Sequence, residues 1–210
     1  VNDRAATWEA VHLERRRLVE DLEEITEEQW RTPSLCPGWS VHDVLAHLID
    51  SATTSRLGFV RQMVTARFDF DRANAHGVAR HRAVDPRTTL AAFCAVTDST
   101  HTPPGPLETR LVEAYVHGED IRRPLGIPAA YPPEHVAAAL AYTARTGAGL
   151  GGGRERVAGL RLSPSDLEQD LGEGPVVRGS AIALLLAASG RPLEPVELAG
   201  PGASILAARG

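Results

Sequence analysis

Ser40-Val41-His42-Asp43 has the form of a capping box, and Val41, Val44, Leu45 and Leu48 follow it at helical spacing. In such a box two side chains satisfy backbone donors that open a helix. A helix that starts this way, with one aliphatic face, must bury that face against a neighbour. The same grammar recurs along the chain. Trp8, Val11, Leu18, Leu22 and Ile25 keep helical spacing across residues 3–25. Thr26-Glu27-Glu28-Gln29 is another capping box, opening a short turn. Asp85-Pro86 places an N-cap before a proline at the first helical position and predicts a helix over 86–98. Further helices are expected over 107–122, stopping at Pro124 and Gly126, and over 133–145. The helix opened by Ser40 is expected to run to Met63, and 69–82 reads as polar and weakly helical. Residues 32–38, with Pro33 and Pro37, form an ordered loop, and 101–106 is a turn-rich connector.

The rhythm changes at Gly147. Gly149 to Gly153 reads as a flexible break and a domain boundary. Beyond it, 157–162, 175–178 and 196–198 read as short strands, and Ser180 caps a helix to Ser189. The fold class that follows is mostly α. A four-helix-type bundle over 1–148 precedes a small α/β domain over 154–210.

Composition narrows the function. The chain has 210 residues, 43% of them apolar, which suits an ordinary core of one or two domains. Its 22 basic and 27 acidic residues give a net charge of −5, with no basic stripe, which argues against a nucleic-acid partner. No apolar run reaches the length of a bilayer span, and the charged N-terminus has no signal-peptide pattern, so no membrane is expected and the cytoplasm is the default. Two cysteines, Cys36 and Cys94, make neither a disulfide framework nor a zinc ribbon. All 22 basic residues are arginine, and with the Ala, Gly and Pro richness this points to a GC-rich genome.

One set of residues suggests chemistry. Glu113, His117 and Asp120 follow one another along the predicted 107–122 helix. Residues four apart share a helical face, about 5–6 Å apart at Cβ, so Glu113 and His117 can grip one ion. His47 on the Ser40 helix supplies a third donor, and three protein ligands leave the open position that marks a catalytic metal. Taken alone, E-x-x-x-H is a short motif, equally a solvated pair. Asp120 is a fourth ligand, a hydrogen-bond partner of a ligand, or a complement to Arg123; the middle reading is favoured. Asp43 and Asp50, i−4 and i+3 from His47, are candidates to accept the proton on its other ring nitrogen, although Asp43 has an alternative role as the N3 partner of the Ser40 cap. Glu119 is expected to face solvent. Cys36 is a packing residue or a nucleophile at a helix entrance, with packing favoured. Cys94 reads as core.

The segment Cys36-Pro37-Gly38-Trp39-Ser40-Val41-His42-Asp43-Val44-Leu45-Ala46-His47-Leu48 resembles the signature of the mycothiol-dependent maleylpyruvate isomerase family, a branch of the DinB-like metal-binding four-helix bundles. The resemblance continues through Phe68-Asp69-Phe70-Asp71-Arg72-Ala73-Asn74. It continues again through Glu113-Ala114-Tyr115-Val116-His117-Gly118-Glu119-Asp120-Ile121-Arg122-Arg123-Pro124-Leu125-Gly126. A looser likeness to the family's small α/β domain covers Gly179-Ser180-Ala181 to Gly190-Arg191-Pro192. Carried over, the family's metal ligands are His47, Glu113 and His117. The resemblance implies a divalent metal, expected to be Zn2+, and mycothiol as thiol cosubstrate. The resemblance implies Arg191 as the catalytic arginine; Arg178 and Arg82 are further candidate cations for an anionic substrate, and each of the three reads equally as a surface arginine.

The expected function is metal-dependent isomerisation or S-transfer using a low-molecular-weight thiol and a small electrophile. The alternative is a non-catalytic divalent-metal-binding DinB-like protein, and a third reading is an interaction scaffold with a solvated polar helix. Thiol-dependent turnover, metal without thiol affinity, and absence of metal separate the three.

Overall fold

Side-chain caps set where most helices begin. Asp3, Thr26, Ser40, Ser55, Asp69, Asp85 and Ser180 each accept a backbone N–H from the first turn that follows. The computed structural model describes residues 3–209. Over these residues it is mostly helical, with one two-stranded sheet, and divides into two units, 3–129 and 130–209.

The N-terminal unit contains α1 (Arg4–Leu22), α2 (Glu27–Trp30), α3 (Val41–Thr53), α4 (Arg56–Thr65), α5 (Phe70–His81), α6 (Pro86–Cys94) and α7 (Glu108–Leu125). Helix α1 packs on α6 and α7, and α3 packs on the same two, which closes a ring of four helices. The core of this ring joins Leu18 and Leu22 of α1, Val44, Leu45 and Leu48 of α3, Phe93 of α6 and Ile121 of α7, with Trp30 beneath. Burying such faces supplies about 25 cal/mol per Å² of apolar surface, the main term holding the ring together.

The helix from Val41 stops at Thr53 instead of running to Met63. Thr54 leaves helical conformation, and Ser55 caps a new helix by accepting the Gly58 N–H at 3.1 Å. Helix α5 packs closely along α3. A Cβ on Gly77 would lie 2.4 Å from Asp50 Oδ2, so glycine is what lets α3 carry a carboxylate there. Asp50 then accepts from Arg80 and Gln62 and meets His81.

Helix α7 continues through Pro124 to end on Gly126 in left-handed conformation. Proline has no N–H, so the Asp120 carbonyl loses its helical donor. Leu35 N–H supplies the replacement at 3.2 Å and ties the 32–38 loop to α7. Between α1 and α7, buried Arg122 joins Glu14 and, at 2.6 Å, Asp21. Burial pushes the Glu14 carboxyl up to about 6, against the pull of Arg122.

The C-terminal unit begins before the glycine run, because α8 (Pro133–Arg145) packs against α10 (Ala181–Ala188). The expected break at 149–153 is a packed turn. A Cβ on Gly152 would fall 2.0 Å from the Thr146 carbonyl oxygen, and one on Gly153 2.0 Å from that of Ala188. Short α9 (Arg154–Val157) occupies the start of the expected strand, and β1 (Arg161–Pro164) pairs in parallel with β2 (Val176–Gly179), Leu162 opposite Val177. The expected strand at 196–198 is a 3-10 turn, Pro195–Glu197, followed by a bridge from Ala199 to Arg178. The chain closes with α11 (Ala203–Ala207), which carries no side-chain cap to announce it. Among the described residues no helix is long and apolar enough to cross a membrane.

Candidate metal centre

Helices α3 and α7 face each other through two polar rows. On α3, His47 and Ser51 are one turn apart; on α7, Arg110, Glu113, His117 and Asp120 follow at three- and four-residue steps. The rows meet in two layers. In one, the His47 and His117 rings meet edge to face, with centroids 4.8 Å apart. In the other, Ser51 and Arg110 close on Glu113.

In the histidine layer, His117 Nδ1–H donates to Asp120 Oδ2 at 2.8 Å. Asp120 is fully buried, at 0% exposure. Asp120 is thus the hydrogen-bond partner of His117, which leaves the ring's lone pair on Nε2. Trp39 also packs against His47, with ring centroids 5.1 Å apart. Burial, then the neighbouring His117, lowers His47 to about 3, so its imidazole is neutral. His47 Nδ1 is buried without a hydrogen-bond partner. The expectation that Asp43 or Asp50 serves it is corrected. Asp43 holds the Ser40 cap and Arg82, and Asp50 turns to α5.

In the carboxylate layer, Glu113 Oε2 accepts from Ser51 Oγ and, at 2.9 Å, from Arg110 Nη1. Oε1 has only Arg15 Nη2 of α1, at 4.0 Å. Burial pushes the Glu113 carboxyl up, but the Arg110 and Arg15 guanidinium groups and the Ser51 hydrogen bond outweigh it and hold the acid below its ordinary range. Glu113 is therefore ionised, and neither it nor His117 is a solvated surface residue.

Among the described residues no three His, Cys, Asp or Glu side chains stand grouped to hold a metal ion. The structure brings His47 and His117 together and sends Glu113 Oε2 to Ser51 and Arg110. The donors nevertheless fit a divalent ion chemically. Two imidazoles in ring contact, one with an unpartnered buried nitrogen, and an ionised carboxylate one turn away are the donor types zinc takes.

The other candidates lie as follows. Arg82 is paired through Nε with Asp43 at 2.7 Å. Arg178 is exposed on β2. Arg191 belongs to the C-terminal unit, donates to the Ser189 carbonyl at 3.1 Å and lines a cavity of about 550 Å³ with Leu193, Leu198 and Leu206. Cys36 packs against the core, as expected, whereas Cys94 is exposed on α6. Glu119 is buried, at 6% exposure, where it pairs with Arg123. Sequence reasoning missed Ser51, Arg110 and Arg15. The first two carry a signal, since they stand one turn from His47 and Glu113; Arg15 carries none.

Comparison with known proteins agrees with this frame. Residues 11–67 match the family model of the mycothiol maleylpyruvate isomerase N-terminal domain, a stretch that contains His47 but not Glu113 or His117. No curated protein matches significantly in sequence. In fold the chain is similar to the crystal structure of mycothiol-dependent maleylpyruvate isomerase, with a TM-score of 0.64, 17% identity, and coverage of 95% of this chain and 93% of that one. A histidine-to-alanine mutant of a mycothiol-dependent maleylpyruvate isomerase gives the same TM-score, 0.64, at 16% identity. The resemblance read from the sequence is thus met by a family model over the N-terminal segment and by a shared fold over nearly the whole chain.

Proposed function

We propose that this chain is a metal-dependent enzyme that uses a low-molecular-weight thiol, mycothiol or a close relative, to isomerise or conjugate a small electrophile. The observation that carries this reading is the ring contact between His47 and His117, one turn from the buried, ionised Glu113. His47, Glu113 and His117 would hold the ion, with Zn2+ the best match to their chemistry. When bound, zinc supplies a Lewis acid that keeps the thiol sulfur deprotonated at neutral pH.

The chain's own residues do the rest. Asp120 fixes the His117 tautomer through Nδ1 and leaves Nε2 as the donor. Burial keeps the His47 ring unprotonated across the physiological range. Trp39 packs against that ring. Arg191, one of the residues lining the cavity of the C-terminal unit, is the candidate to take an anionic group of the substrate. In the isomerisation the thiol sulfur bonds to one carbon of an activated double bond, leaving a single bond that rotates. Expulsion of the sulfur then restores the double bond in trans form and regenerates the thiol.

Purified protein is expected to carry about one divalent ion per chain. The His47→Ala, His117→Ala double variant should lose it. Metal content unchanged in that variant removes the proposal.

A further inference from the structure

The carboxylate layer contains an asymmetry that the metal reading does not use. Both hydrogen bonds to Glu113 fall on Oε2, from Ser51 Oγ and Arg110 Nη1. Arg110 Nη1 also donates to Ser51 Oγ at 2.7 Å, so the three groups form a closed triangle. Ser51 comes from α3 and Arg110 from α7, and both are buried. Oε1 stays outside the triangle, with the Arg15 guanidinium 4.0 Å away.

We infer that Ser51 and Arg110 are positioning residues that clamp one oxygen of Glu113 so that the other is presented as a single, fixed donor. The inference rests on the reading of Glu113 as a metal ligand. Three physical points support it. A carboxylate with free torsions can offer an ion one oxygen or two, and anchoring Oε2 removes that choice. Fixing the side chain in advance also spares the entropy of ordering it on binding. Finally, the clamp joins the same two helices that carry His47 and His117, so it sets their spacing at this level of the bundle. Partners that orient a ligand in this way are worth 10–100-fold in metal affinity.

Ser51 gives the cleaner test, because Ser51→Ala removes one anchor without changing charge. Co2+ is added to metal-free wild type, S51A, Ser51→Thr and Arg110→Gln, with affinity read by chelator competition and the ligand field by visible absorption. Urea unfolding of each variant runs alongside. S51A should bind Co2+ at least about tenfold more weakly and with an altered visible spectrum. Ser51→Thr, which keeps the hydroxyl, should recover most of the affinity and the wild-type spectrum. R110Q should alter the spectrum in the same sense as S51A. A merely structural role would lower the unfolding midpoint and leave the spectrum of the folded fraction unchanged. Unchanged or tighter Co2+ binding in folded S51A, with the wild-type spectrum, overturns the clamp and leaves the metal reading standing. Absence of Co2+ binding by the wild type itself overturns both.

Discussion

His47 is neutral for two reasons, burial and a second imidazole across the helix interface, and a neutral imidazole is the form a metal requires. His117 instead owes its donor nitrogen to Asp120, held at 2.8 Å on the opposite side of the ring. Asp120→Ala should therefore lower Zn2+ affinity by about tenfold or more, measured by chelator competition, while Asp120→Asn, which can still accept from Nδ1–H, should lose less. Glu14 makes a separate prediction. Its folded pKa is about 6 against an ordinary 4.5, so the folded state binds more protons between those values. That contribution to stability is full below pH 4.5 and is lost as pH rises through 6. Urea unfolding from pH 4 to 7 should show this falling slope in wild type and not in Glu14→Gln. An identical pH profile in both would show that Glu14 is not the group responsible.

At the scale of elements, close approaches decide more than propensity. Gly77→Ala would gain helix propensity of about 1 kcal/mol. It would also drive a Cβ to 2.4 Å from Asp50 Oδ2 and 2.6 Å from its Cγ, atoms held by Arg80 and Gln62. Overpacking costs about 1–3 kcal/mol, so a net loss of stability is expected in urea unfolding; a gain would mean that Asp50 swings away freely. The same scale shows what a sequence displays and hides. The Ser40, Thr26 and Asp85 caps were legible because a cap is a contact within four residues. The interruption after Thr53 was not, since Leu57, Val60 and Val64 continue an apolar pattern, yet lie exposed on α4. Pro124 was legible as a stop, but its deeper effect, freeing the Asp120 carbonyl for Leu35, depends on a loop some ninety positions earlier. His47 and His117 could be paired because the helices bearing them were recognisable. Ser51 and Arg110 stand one turn from His47 and Glu113, but that they meet shows only when the two helices are set face to face, and Asp43 and Asp50 are committed to Arg82 and to α5.

The described molecule is two units with different grammars, a ring of helices over 3–129 and a helix-backed parallel pair of strands over 130–209. By contacts the second unit begins before the glycine run, and Gly152 and Gly153 are glycines so that carbonyls can approach. The fold likeness spans both units, and the central claim concerns the first: that His47, Glu113 and His117 hold a metal at which a small thiol is activated. The most direct test is to titrate mycothiol into the Co2+-loaded protein and watch for a sulfur-to-cobalt charge-transfer band. The account predicts that the band grows to saturation at about one thiol per metal, as expected for one open coordination position, and that it is absent in the His47→Ala, His117→Ala variant. A Co2+-loaded wild type whose spectrum stays unchanged through the titration would contradict it.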